Sequence, residues 1–176
     1  GGEDHFVEAF AVHRGARVVA PDLVDRLVLC SIGKDSGRQV KLIVGSWLEI
    51  LQRADLKTMA WAALPLVFGR RYLEQNRDII DKIVAAIEAR NEKDALIAHF
   101  KAIADYPPPE SFLKSVQCPA LIISGSDDPI VPPRDARQLA KDCGGRHELF
   151  PEIGHSIPAE APAMFQQRVL NFLNQP

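Results

Sequence analysis

The stretch Cys118-Pro119-Ala120-Leu121-Ile122-Ile123-Ser124-Gly125-Ser126-Asp127-Asp128-Pro129-Ile130-Val131-Pro132 decides the fold. Its first half is a short, β-branched apolar run bounded by Pro and Gly, the pattern of a strand buried on both faces of a parallel sheet. Gly125 to Pro129 is turn chemistry, and it puts two carboxylates where the strand ends. Downstream, the spacing predicts a helix from about Pro133-Arg134 to a stop at Gly144-Gly145, then a strand over His147 to Phe150. A turn with Gly154-His155-Ser156 follows, and a last amphipathic helix carries Phe165, Val169, Phe172 and Leu173. Strand, helix, strand, helix in this order reads as an α/β protein with a parallel sheet.

Upstream, Arg17 to Ala20, between Gly15 and Pro21-Asp22, and Asp25 to Ser31, ended by Gly33 and Gly37, read as further interior strands. From Arg38 to about Tyr106 the period is helical. Ile79, Ile80, Ile83, Val84 and Ile87 recur behind Asp78, and Ala95, Leu96, His99, Phe100 and Ile103 recur behind Asn91 as the expected cap. Pro65 and Gly69 are expected to divide this stretch and Pro107-Pro108-Pro109 to end it, because proline cannot continue a helix. No internal repeat or low-complexity tract is present.

Of the 176 residues 47% are hydrophobic and 25% charged, the composition of a folded domain about one unit long. Lys plus Arg number 21 against 23 Asp plus Glu, a net charge of −2, which leaves no basic footprint for nucleic acid. The longest apolar runs fall far short of the roughly 18 residues of a membrane helix, so no membrane partner is expected. Gly1-Gly2-Glu3-Asp4-His5 has no initiator Met, basic n-region or apolar h-region: no export signal is read, and the start looks trimmed. Cys30, Cys118 and Cys143 are odd in number and lack CxxC spacing, which argues against a disulfide framework and a zinc ribbon and makes the cytoplasm the default compartment. A net charge near zero is compatible with self-association without demanding it.

In open α/β sheets, functional groups gather at the carboxyl ends of the strands. Here one strand end offers Asp127 and Asp128, and the next offers His155. A carboxylate that fixes an imidazole tautomer, and an imidazole that takes a proton from a nucleophile, are the working parts of nucleophilic hydrolysis. The bland alternative for the aspartates is turn formation before Pro129, or capping of the following helix. His5, His13, His99 and His147 read as structural or solvent-facing, His99 as packed on an apolar helix face. Cys30 reads as a packed small hydrophobe, with Ser31 and Ser36 as similarly weak nucleophile candidates. Trp47, Trp61, Phe68 and Phe100 are either core of the helical stretch or aromatics turned toward an apolar acyl or aromatic group of a small-molecule substrate.

These segments resemble the α/β-hydrolase family. Cys118 to Pro132 is similar to the family's seventh strand and acid loop, in which the catalytic Asp stands three positions after the glycine, here Asp128. Gly154-His155 resembles the catalytic-histidine turn, Pro21-Asp22 the end of the fourth strand, Asp25 to Gly33 the sixth strand, and Gly1-Gly2 the glycines that shape the oxyanion hole. The resemblance implies a three-layer α/β fold with a mostly parallel sheet, its core over residues 1–37 and 107–176 and a helical cap over 38–106. It implies Asp128 as orienting acid, His155 as general base and then acid, and Gly2 as an oxyanion donor. No metal or organic cofactor is called for.

One part of the family pattern is absent. The nucleophile elbow GxSxG has no counterpart: Gly33-Lys34-Asp35-Ser36-Gly37 has the wrong spacing, and Gly45-Ser46 lacks the preceding frame. In the family the elbow follows the fifth strand, so two βα units, roughly 60 residues, are missing where only Leu23 to Asp25 joins the fourth strand to the sixth. Those strands would lie about 14 Å apart laterally, and a parallel return adds some 17 Å, a span of about 22 Å. Leu23 to Asp25 with its flanking bonds reaches no more than roughly 14 Å.

Three explanations are open: two joined segments of a longer protein, a deletion product with rearranged strands, or elements borrowed from a neighbouring chain. The first is favoured, because both flanks keep good strand patterns up to the join; a normal Cα step of about 3.8 Å from Asp22 through Arg26 would count against it. The expected function is hydrolysis of a small ester, lactone or thioester by a nucleophile outside these residues. A serine nucleophile would mean acyl transfer and an aspartate dehalogenation or epoxide opening, as the resemblance implies. The alternative is an inactive fragment serving as an interaction module.

Overall fold

The computed structural model describes residues 24–33, 37–104 and 116–175. The strand read over Arg17 to Ala20, the link through Asp22 and Leu23, Ser36 and the triple proline lie outside them, as do Gly2, His5 and His13. In chain order the described elements are β1 (Leu27–Cys30), α1 (Arg38–Arg53), α2 (Leu56–Val67), α3 (Arg70–Gln75), a 3-10 turn (Arg77–Ile79), α4 (Ile80–Arg90) and α5 (Lys93–Ala104). Then come β2 (Ala120–Gly125), α6 (Pro133–Asp142), β3 (Arg146–Phe150), α7 (Ile157–Glu160) and α8 (Pro162–Leu173).

The three strands form one parallel sheet in the order β1, β2, β3. β2 is central and buried along its whole length, as an aliphatic run without polar alternation requires. Its residues face the two sides in turn. Ala120 and Ile122, with Leu29, pack on Ala136, Leu139 and Ala140 of α6. Leu121 and Ile123, with Phe150, pack on Ile157 of α7 and on Val169 and Phe172 of α8. Helix, sheet, helix makes the three layers expected from the sequence. α6 ends as read: Gly144 adopts φ +67°, its amide donates to Lys141 at 3.4 Å, and that of Gly145 donates to Ala140 at 2.8 Å. These are the two bonds of a glycine-terminated helix end.

The described residues between β1 and β2 contain helices and no strand. Val44, Trp47 and Leu51 of α1, Leu56, Met59 and Ala63 of α2 and Phe100 of α5 share one core, and it reaches Ile130 and Val131 beyond β2. The helical segment therefore rests on the loop that carries Asp128. Ala60, Leu64, Phe68 and Val84 form a second core.

Two local expectations are corrected. Pro65 does not divide the stretch; it lies in the last turn of α2, which continues to Val67 because Met59 and Ala63 pack in one core and Ala60 and Leu64 in the other. Tertiary packing outweighs the hydrogen bond lost at proline. Asn91 does not open α5 but closes α4, donating from Nδ2 to the carbonyl of Ile87 at 2.7 Å. His99 is half-buried with its ring tilted against Phe100 at 6.2 Å. Trp47, Phe68 and Phe100 are core, whereas Trp61 is 43% exposed.

Candidate active site

Parallel pairing continues past the ends of β2 and β3 and brings their loops together. Ser126 donates its amide to Phe150 at 2.9 Å and Asp127 to Ile153 at 2.9 Å, while Glu152 donates its amide to the Ser126 hydroxyl at 2.7 Å. Gly125 lies against the backbone of Ile153 and Gly154, an approach that leaves no space for a side chain. The acid loop and the histidine turn are thus one stitched unit.

On that unit the carboxylate of Asp128 meets the imidazole of His155, with Oδ2 and Nδ1 2.8 Å apart. The other oxygen, Oδ1, accepts from the amides of Ile130 at 2.8 Å and Val131 at 2.9 Å. The Asp128 side chain is fully buried, and that of His155 is 20% exposed. A buried carboxylate needs its lone pairs met by donors, and two amides and an imidazole N–H do so here. With Nδ1 donating to Asp128, Nε2 keeps its lone pair, the state a general base requires. Neither aspartate caps α6, whose N-cap is Pro132. Asp127 accepts from the Ser126 hydroxyl at 2.7 Å and has no bond to His155.

The histidine turn is held from two sides. The carbonyl of Val67, at the end of α2, accepts from the amides of His155 and Ser156, each at 3.0 Å. The hydroxyl of Ser31, just past β1, donates to the His155 carbonyl at 2.5 Å. Ser31 is occupied there, with φ +53° and its own amide bonded to Ile123. Burial, chiefly, pushes the Cys30 thiol up to about 11, with the negative charge of Asp128 adding to the rise. Such a thiol holds almost no thiolate at neutral pH, so Cys30 has little nucleophilic character.

A second serine and imidazole pair stands on neighbouring strands: Ser124 Oγ lies 2.8 Å from His147 Nε2. Ser124 is fully buried, so this pair offers no nucleophile to a substrate. Burial, then the charge of Arg137, holds His147 below the usual imidazole range and keeps it neutral. Among the described residues no group of three or more His, Cys, Asp or Glu could hold a metal ion, and no helix is long and apolar enough to cross a membrane.

The family model for the alpha/beta hydrolase fold matches residues 8–162. The chain belongs to the α/β hydrolase fold family. It is 24% identical over 156 residues to a protein of Caulobacter sp. (strain K31) whose name, carbamate hydrolase RutD, is provisional; the match takes in 88% of this chain and 58% of that protein. MGS-M2, an alpha/beta hydrolase enzyme from a Medee basin deep-sea metagenome library, shares the fold with a TM-score of 0.83 and 21% identity, over 93% of this chain and 61% of its own. The enol-lactonase from Burkholderia xenovorans LB400 does so with a TM-score of 0.81 and 21% identity, over 92% and 61%. The chain spans about 60% of the length of these relatives, consistent with an incomplete α/β hydrolase sheet.

Sequence reading of the α/β hydrolase pattern singled out Asp128 and His155, which the structure brings to 2.8 Å, but not the groups that hold the histidine turn. Ser31 and Val67 act there through one hydroxyl and one backbone carbonyl, which no side-chain pattern marks.

Proposed function

We propose that the chain carries the acid and the histidine of a hydrolase acting on a small ester, lactone or thioester. One observation carries this reading: a fully buried Asp128, saturated by three donors, holds Nδ1 of a partly exposed His155 at 2.8 Å. In the mechanism we infer, His155 Nε2 takes the nucleophile's proton as that atom attacks the substrate carbonyl. The imidazolium, stabilised by Asp128, then gives the proton to the leaving oxygen or sulfur. Water repeats the cycle on the covalent intermediate. The nucleophile is supplied by residues outside these 176, and Gly2 serves as an oxyanion donor. Residues 38–106 act as a cap over a core of 1–37 and 107–176, and the substrate carries an apolar acyl or aromatic group. The names of RutD and of the enol-lactonase support carbonyl hydrolysis as the reaction class. The cytoplasm is the compartment we assign.

The test pairs the intact mass of the natural protein with its turnover of a p-nitrophenyl ester. A mass well above 19.5 kDa together with turnover is expected. The lack of GxSxG favours a second reading, an inactive interaction module; a mass of 19.5 kDa without turnover would establish it and refute the first.

A further inference from the structure

Glu160, the last residue of α7, joins two segments far apart in sequence. Its Oε2 accepts from the amide of Gly69 at 2.9 Å and from that of Gly154 at 3.0 Å, and its Oε1 lies 3.1 Å from the Gly154 amide. Gly69 is the junction between α2 and α3, and Gly154 immediately precedes His155. Their backbones touch: a Cβ on Gly154 would collide with the Gly69 nitrogen, and one on Gly69 would lie 2.8 Å from the Gly154 nitrogen. The N–H groups of Gly69 and Gly154 converge there on the Glu160 carboxylate, that of Ser156 bonds to it as well, and without it the first two would lose their acceptor. Burial raises the Glu160 carboxyl above the usual carboxylate range against the opposing pull of the amides, and the charge of Asp128 adds to the rise. A carboxylate kept half-buried at such a cost has a local task.

We propose that Glu160 is a positioning residue for His155: by clamping Gly154 to Gly69 it ties the turn that carries the imidazole to the helical segment. Through this clamp the helical segment helps to hold the ring in place against Asp128. This rests on the Asp128–His155 reading above. The Val67 carbonyl, accepting from His155 and Ser156, reinforces the same seam but cannot serve the amides of Gly69 and Gly154.

The test follows solvent exchange of the proton on His155 Nδ1 by NMR, in the full chain and in Glu160→Ala, Glu160→Gln and Val84→Ala. Val84, 1% exposed in the second core of the helical segment, gives a variant that loses stability without touching the clamp. Exchange is expected to quicken by about tenfold or more in Glu160→Ala, as the loss of charge-assisted bonds implies. Glu160→Gln, which keeps one acceptor oxygen, falls between, and Val84→Ala keeps the wild-type rate. Equal rates in wild type and Glu160→Ala overturn the clamp while leaving the Asp128–His155 pair standing. Equal quickening in Val84→Ala overturns it too, since general loosening would then suffice. A wild-type proton that exchanges at once removes both the clamp and the pair. If Glu160→Ala is recovered unfolded, Glu160→Gln decides, and a wild-type rate there counts against the proposal.

Discussion

In the complete protein, replacing His155 by Ala lowers kcat by about 10^6-fold and replacing Asp128 by Asn lowers it by about 10^4-fold. On the proposed mechanism, the first change removes the group that takes the nucleophile's proton. The second is subtler. The asparagine side chain keeps Oδ1 and so still serves the amides of Ile130 and Val131, but it turns an amide N–H₂ toward His155 Nδ1. Nδ1 must then accept, the ring proton moves to Nε2, and the base loses its lone pair. Folding is therefore spared, and the melting temperature of Asp128→Asn should stay within about 3 °C of wild type, the shift expected for less than 1 kcal/mol. Asp128→Ala separates the two effects, because it leaves both amides without an acceptor and should cost about 2–5 kcal/mol. The measurement is ester turnover beside calorimetry. An Asp128→Asn protein with more than a tenth of wild-type kcat would contradict the assignment.

A large loss of stability is expected at Gly125. A methyl group there would collide with the carbonyl oxygens of both Gly154 and Ile153, and these are backbone atoms that no rotamer change can move. The end of β2 must then part from the histidine turn, at a cost of about 3 kcal/mol or more. That amounts to a fall in melting temperature of about 10 °C. The same methyl group at Gly45, inside α1 with nothing within 4 Å, should do the reverse and stabilise by about 0.5–1 kcal/mol through helix propensity alone. Thermal denaturation of the two variants checks the pair. Gly125→Ala melting with the wild type would mean that the two loops are not stitched as described.

The sequence made the centre of this architecture legible and left its seams unread. β2 could be read because a strand buried on both faces must be continuously apolar, whereas Asp128 was singled out from Asp127 only by the family resemblance, which sets the acid three positions after the glycine. Gly144 was legible as a helix stop because only glycine enters φ +67° without strain. Asn91 was read in the wrong direction: an amide side chain can cap the helix before it as readily as the one after, and only the fold decides. Pro65 misled for a related reason, since propensity is local and the two cores that carry α2 on to Val67 are not. The partners of Glu160 could not be read at all. They are backbone amides, and one of them lies 91 residues upstream.

The most direct measurement is the tautomer of His155 at pH 8, read from two-bond nitrogen–proton correlations in the folded chain. A proton on Nδ1 with Nε2 unprotonated is the predicted result. A proton on Nε2, with Nδ1 bare beside Asp128, would contradict the account.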